Sequence, residues 1–393
     1  MTKKKEGKNM AFNINHLTPV IFGEGVSQDT GKKLKEYGVT KVFCIYDKGI
    51  KDAGIVDKII QTIRAEDINI IEFGGVLPDP PDTLVDQAGE IGRKEGVDGI
   101  LGIGGGSSLD TAKAVNVLLE NPGSISAYFG RDVAQKPSKP LFAIPTTAGT
   151  GSEVTGVAVI SNTKEEKKQG VRGKNCIPTL AIVDPSLTLE LPPQITAATG
   201  MDAFSHAAEA FTSIMNNPMS DILALEAMSL IPKYLPVAVK EGSNAEARSK
   251  MMFASTIAGM AFNDAVTHLG HAIAHTMGAK FHVPHGTGCG LAIPAVIEYI
   301  SDVMPERVKA IGKVIGLDLH DSLSNPEAGA AVADSIRKML RAIGIPTLKE
   351  LDIQESGLDK IAEHTPADVC AIFVPKKTTS EDVLKLLQKE YAL

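Results

Sequence analysis

The stretch Gly99–Leu119, GILGIGGGSSLDTAKAVNVLL, decides the architecture. Its opening GILGI is uniformly apolar, three glycines and two serines follow at 104–108, and LDTAKAVNVLL then carries a helical pattern. A buried strand that passes through a glycine turn into a helix is one βα unit of a parallel sheet. The same alternation recurs in KVFCIYD (41–47), INIIEFGGV (68–76), LFAIPTTAGT (141–150) and LAIVDP (180–185). These runs are too uniformly apolar for a half-exposed sheet, so they predict an α/β region built on a mostly parallel sheet.

Strand-like runs stop near residue 185. Beyond Leu191-Pro192-Pro193 the pattern is helical almost to the end: ITAATGMDAFSHAAEAF, SDILALEAMSLIPKYL, NAEARSKMMFASTIAGMAF, ADSIRKMLRAI and EDVLKLLQKEY. This predicts an α/β domain over residues 1–190 and an all-α domain over 191–393. GGVLPDPP (74–81) and residues 286–294 read as Gly/Pro-rich loops near a cleft, and SNTKEEKKQGV (161–171) as a charged surface excursion.

The glycines at 104–106 let the backbone approach an anion closely, and the N-terminus of the following helix adds amide donors and a dipole suited to a pyrophosphate. The run departs from G-x-G-x-x-G, and Lys113 is misplaced for a phosphate-loop lysine. Asp110 in the first helical turn also suits the dipole. Asp47 ends the strand FCIYD and precedes the glycines instead of following them. At a strand end it could accept both adenosine-ribose hydroxyls and repel a 2′-phosphate, which favours NAD over NADP; an Asp that starts a turn before Lys48-Gly49 is the other reading. PTTAGTGSE (145–153) is a second hydroxyl- and glycine-rich loop after a strand, and strengthens a dinucleotide-binding reading of this domain.

Five of the nine histidines, His268, His271, His275, His282 and His285, crowd into AVTHLGHAIAHTMGAKFHVPHG (265–286), separated by small and apolar residues. That is the expected wall of a metal site. His271 and His275, four apart on a helix, share one face about 6 Å from each other. Gly278 and Pro284 should end that helix and turn the chain back, leaving His285 as a loop donor. Upstream, Asp202 and His206 form another i, i+4 pair in a helix lined by Ala203, Ala207 and Ala208. Two helices crossing here would offer one carboxylate and three imidazoles. His268 and His282 read as hydrogen-bonded core or surface residues, and Asp202 taken alone also suits a cap after Thr199-Gly200.

With 393 residues, 43% hydrophobic and 22% charged, the chain has an ordinary globular composition. A net charge of −7 with no basic, aromatic-interleaved stripe argues against a nucleic-acid partner. MTKKKEGK at the start reads as a solvated tail without the apolar segment of a secretory signal. No run of eighteen uninterrupted apolar residues predicts a membrane span. The four cysteines, Cys44, Cys176, Cys289 and Cys370, are scattered without a C-x-x-C pair, which fits a reducing cytoplasm; Cys289 reads as core.

Taken together, YDKG (46–49), GGGSSLDTAK (104–113), PTTAGTGSEVT (145–155), ATGMDAFSHAAEA (198–210), GHAIAHTMGA (270–279) and PHG (284–286) resemble the iron-containing (group III) alcohol dehydrogenases, in family order over nearly the whole chain. The resemblance implies an N-terminal dinucleotide-binding domain and a C-terminal helical metal domain. It implies Asp202, His206, His271 and His285 as ligands of Fe²⁺, with His275 contacting nicotinamide or substrate. Asp47, Gly104, Gly105, Gly106, Ser107, Thr146 and Thr147 match cofactor contacts, and Phe262 and Cys370 match the substrate-pocket lining. Ligand type alone suits Zn²⁺ as well as Fe²⁺, so iron rests on the resemblance.

Three departures stand out. Relatives usually carry an apolar pair where this chain has Gly170 and Arg172, N-P-R appears as Val374-Pro375-Lys376, and His268 replaces a residue commonly small or apolar. A shortened wall beside a cation would admit an acidic or sulfonated aldehyde, unless Arg172 faces solvent.

The expected reaction is reversible hydride transfer between a primary alcohol or aldehyde and NAD(H), with the metal as Lewis acid and His275 as the proton-relaying group. The alternatives are a zinc-dependent relative of the glycerol dehydrogenase or dehydroquinate synthase sort and, in another class, a metallohydrolase whose glycine loops hold a substrate phosphate. A homodimer or higher oligomer is expected, with MAFNINHLTPVIFGEG (10–25) as an edge strand for pairing.

Overall fold

The computed structural model describes residues 12, 14, 18–320 and 322–393. The expected tail MTKKKEGK lies outside the described residues.

Among the described residues nine strands are present: β1 (Val20–Phe22), β2 (Lys41–Asp47), β3 (Asn69–Val76), β4 (Gly99–Gly104), β5 (Gly130–Arg131), β6 (Leu141–Pro145), β7 (Val157–Asn162), β8 (Lys167–Arg172) and β9 (Leu180–Val183). Six form one parallel sheet in the order β1-β9-β6-β4-β2-β3. Every residue of β4, β6 and β9 is buried, as apolar strands sandwiched between layers of helix must be. After β3 the chain crosses back over β2 to form β4, so the strand order reverses between β2 and β4. Asp47 and Gly104 end these two neighbours at the carboxyl edge, the crevice where open α/β sheets bind ligands.

Downstream of Val183 the described residues form only helices, 3-10 turns and loops. The long helices Pro193–Thr212, Pro218–Lys240 and Ala245–Ala265 pack through small residues: Ala203, Ala207, Ala224, Ala227, Ala258 and Ala261 are fully buried. At Gly200 a Cβ would come 2.3 Å from Leu235 Cδ1, so the first two can approach this closely only with glycine there. Pro218–Lys240 is long and apolar enough for a membrane span by length and composition, yet it carries Asp221, Glu226 and Lys233 and packs between its two neighbours.

Several local expectations are corrected. The segment 161–171 is the end of β7, a turn over 163–166 and most of β8, and these two strands pair antiparallel in a second small sheet, β5-β8-β7. Residues 286–294 are helical, inside His285–Ile300, because Gly286 and Gly288 serve close packing: a Cβ on Gly286 would meet the Ala198 carbonyl at 2.1 Å. Gly74 and Gly75 belong to β3. Val20–Phe22, from the segment expected to supply an edge strand, does lie at the edge of the main sheet, parallel to β9.

Candidate active site

The helix Leu269–Phe281 runs straight through Gly278 and stops where His282 takes a left-handed conformation, φ 55°. Two residues later Pro284 caps a new helix, and His285 is its first residue, a helical donor where a loop donor was expected. His271 and His275 project from the first helix, Asp202 and His206 from the crossing helix Pro193–Thr212.

Three imidazoles converge on one carboxylate oxygen. Asp202 Oδ1 lies 3.5 Å from His285 Nε2, 3.8 Å from His271 Nε2 and 3.9 Å from His206 Nε2. These separations are too long for hydrogen bonds. They suit donors on a common cation, which stand roughly 3–3.5 Å apart when metal–ligand bonds are about 2.1 Å. Asp202 Oδ1 and His271 Nε2 are buried with no hydrogen-bond partner, a costly state that a cation would relieve.

Electrostatics point the same way. Burial lowers His206 and His271 to about 4, against the pull of the Asp202 carboxylate, and holds His285 well below its ordinary value with help from His271 and His275. The rings are therefore neutral at physiological pH, the form that ligates metal. Cys289 sits with Asp202, His271 and His285 in one cluster of donor atoms within 4.8 Å of one another, but burial pushes its thiol well up, so it stays protonated core as expected. The donor set fits a divalent cation.

His271 is oriented from behind by Glu209, which accepts its Nδ1 proton and the amides of Gly270 (2.5 Å) and His271 (3.3 Å). His268 is wholly buried on the far side of Glu209, 3.3 Å from its Oε1 and 2.9 Å from the Thr212 hydroxyl. His275 Nδ1 lies 2.9 Å from Asp368 Oδ2. Burial raises Asp368, but its bonds to His275 and the Cys370 amide outweigh that and keep it ionised. His206 stacks on Phe262 at 4.1 Å and 15°, and His275 on His285 at 5.4 Å and 18°.

These groups form the floor of a cleft of about 290 Å³ between the sheet and the helices. Phe262, Cys370, Gly170 and Arg172 line it together with His206, His271, His275, His285 and Asp202. Its opposite wall is Gly106 and Ser107, at the start of the 15-residue helix Gly106–Glu120, which has no side-chain cap on its first amides. The glycines leave a cradle: Cβ atoms would come 2.6 Å from Ser108 Oγ at Gly104 (φ 142°) and 2.7 Å from Thr150 Cγ2 at Gly106. A Cβ on Gly105 would stand 3.4 Å from the Thr147 side chain, and Thr146 is buried. Asp47 accepts the Ile50 amide as a helix cap (3.2 Å), the turn-starting role, and sits beside the glycine turn, taking the Ser108 hydroxyl at 3.1 Å. Lys113 is buried and Asp110 half-buried at the cleft, and both tie the GTGSEVT loop to the helix through Ser152.

Family models for iron-containing alcohol dehydrogenases match residues 18–185 and, as the C-terminal part of the same family, residues 196–391. The NAD-dependent methanol dehydrogenase of Bacillus methanolicus is 34% identical over 94% of this chain and 97% of its own length. The chain belongs to the iron-containing alcohol dehydrogenase family. The 1,3-propanediol dehydrogenase of Citrobacter freundii is 36% identical over 96% of this chain and 99% of its length. Sulfoacetaldehyde reductase from Bifidobacterium kashiwanohense, solved with NAD⁺, superposes with a TM-score of 0.87 at 32% identity, covering 98% of this chain and 99% of that one. This member of the family is thus an alcohol–aldehyde oxidoreductase, with the α/β and all-helical regions seen in its structural neighbours.

In this alcohol dehydrogenase, reasoning from sequence missed Glu209 and Asp368. The first had a signal: Asp202, His206 and Glu209 are i, i+4 and i+7 on one helix face, in a segment otherwise almost free of charge. Asp368 had none, because 93 residues separate it from His275.

Proposed function

We propose that the enzyme interconverts a primary alcohol and its aldehyde with NAD(H), using a divalent cation held by Asp202, His206, His271 and His285. The observation that carries the reading is the convergence of three neutral imidazoles on the unpaired Asp202 Oδ1, on the floor of a cleft walled by the Gly104–Ser107 turn. The cation would supply Lewis acidity toward the substrate oxygen, and the nicotinamide would give or take the hydride.

The chain's own residues do the rest. Gly104, Gly105, Gly106 and Ser107 accommodate the pyrophosphate, Asp47 takes the adenosine ribose and disfavours NADP, and Thr146 and Thr147 back the turn. His275, its Nδ1 held by Asp368, presents Nε2 for proton exchange with the substrate hydroxyl through the cleft. Phe262 and Cys370 fill the apolar wall and exclude water. Fe²⁺ is the metal of choice by family, Zn²⁺ the substitute that the same donors accept.

We read the chain as two domains that divide near residue 190, with the cleft between them. Four free thiols suit a reducing cytoplasm, and the exposed edge at β1 suits assembly into a homodimer or larger oligomer. The test is anaerobic: metal-stripped protein is reloaded with Fe²⁺ or Zn²⁺ and the loss of NADH absorbance is followed with propanal and with anionic aldehydes. Metal-dependent loss supports the reading; no loss with any aldehyde and either metal sinks it.

A further inference from the structure

Strand side chains alternate, so the β7–β8 hairpin turns one face to the cleft: Val157, Val159 and Ser161 from one strand, Lys168, Gly170 and Arg172 from the other. Two cations therefore look into the space beside the candidate metal donors. They differ in what they meet. Lys168 Nζ lies 2.6 Å from Asp79 Oδ1, and its charge is matched. The Arg172 guanidinium has no hydrogen bond or ion pair among the described residues.

The acids that could serve Arg172 are engaged elsewhere. Asp132 lies 3.7 Å from Arg131, and Asp110 takes the Ser152 hydroxyl at 2.6 Å and the Val159 amide at 2.9 Å. Arg172 is only partly open to water, and burial draws it below the ordinary guanidinium value. Gly170 leaves its stem room: a Cβ there would already stand 3.5 Å from Arg172 Cγ and from Val157 Cγ2, so a branched residue would crowd the stem. A desolvated, unmatched cation on the wall of a binding cleft is costly unless the ligand completes it.

We propose that Arg172 recognises a compact oxyanion on the substrate, so that the preferred aldehyde is a short one bearing a sulfonate or carboxylate. The proposal rests on the alcohol–aldehyde reading of the same cleft. A guanidinium presents a planar fork that holds two oxygens of such a group at once. Size follows from volume: about 290 Å³ must take the nicotinamide end of the cofactor as well, which leaves room for a substrate of few heavy atoms.

The test compares sulfoacetaldehyde, glyoxylate and propanal as substrates of the Fe²⁺-loaded enzyme with NADH, for the wild type, Arg172→Gln and Arg172→Lys. We expect one anionic aldehyde to exceed propanal at least tenfold in kcat/KM. Arg172→Gln should remove about tenfold to a hundredfold of that, through KM, with propanal changed less than about threefold. Arg172→Lys should recover part of it. The proposal is overturned if propanal is preferred, if all three substrates lose equally, or if Arg172→Gln weakens NADH binding by fluorescence, which would assign the guanidinium to the cofactor. Calorimetry separates the two readings. Isethionate or glycolate binding to the enzyme–NAD⁺ complex that is lost in Arg172→Gln supports the anion site even without turnover, and no binding of either to the wild type overturns it.

Discussion

Glu209 grips His271 at two points and its neighbour Gly270 at a third, accepting hydrogen bonds from His271 Nδ1 and from the amides of Gly270 and His271. The helix N-terminus and the ring are thus held by one carboxylate, which fixes the tautomer that leaves Nε2 free toward Asp202. Glu209→Gln keeps the volume but removes the charge that favours Nδ1–H. We expect metal affinity to fall about tenfold to a hundredfold, read by competition with a chelator, while the secondary structure by circular dichroism stays unchanged. An unchanged affinity would show that Glu209 serves folding alone.

Asp368 reaches His275 across 93 residues of chain at 2.9 Å. Asp368→Ala should leave Nδ1 unheld and lower kcat about tenfold to a hundredfold, with little change in KM or in NADH affinity. Equal kcat in the variant would remove His275 from the proposed proton path.

Gly106 opens the phosphate-facing wall, and a Cβ there would stand 2.7 Å from Thr150 Cγ2. Gly106→Ala must displace the Thr150 side chain into the cleft or move the turn. NADH affinity, read by fluorescence titration, should fall about tenfold, the equivalent of a strain of 1–3 kcal/mol in an overpacked site. Melting temperature should move little, since alanine is the better helix former. Full NADH affinity in this variant would place the cofactor elsewhere.

Acid stability should report Asp184. Burial raises this carboxyl, but the Ser186 and Ser27 hydroxyls and the Gly25 and Ser27 amides outweigh it and hold it below 3.8. A depressed folded pKa contributes stability above the unfolded value and loses it as pH falls through the folded one. Asp184→Asn should therefore cost about 2 kcal/mol near neutral pH, and the gap from wild type should close below pH 3.8 in urea titrations. A gap that is independent of pH would mean that shape, not charge, holds this loop.

What could be read from the chain alone was whatever is local. The five main apolar runs became strands: burial on both faces is written in the consecutive apolar residues of β4, β6 and β9, whereas β3 turned out a half-exposed edge strand, and the i, i+4 pairs Asp202/His206 and His271/His275 face one way because helical period is local too. Burial of the crossing decided the rest. Gly286 lies in the first turn of a helix because its neighbour Ala198 demands the close approach, which no single-chain signal encodes. The stretch 161–171 looked like a charged excursion because SNTKEEKK at 161–168 is polar throughout, and only pairing shows that one face of the β7–β8 hairpin walls the cleft.

The sequence by itself therefore determined the donor types, their helical spacing, the glycine turn after a buried strand and the family that combines them. The tertiary structure alone decided that His206, His271 and His285 meet on one oxygen of Asp202, that Glu209 and Asp368 stand behind His271 and His275, and that Arg172 faces the same cleft with no ion pair among the described residues. Spacing along a chain sets which residues share a face; which faces meet depends on packing between elements tens of residues apart, where burying a charge or an imidazole is costly unless a partner or ligand answers it.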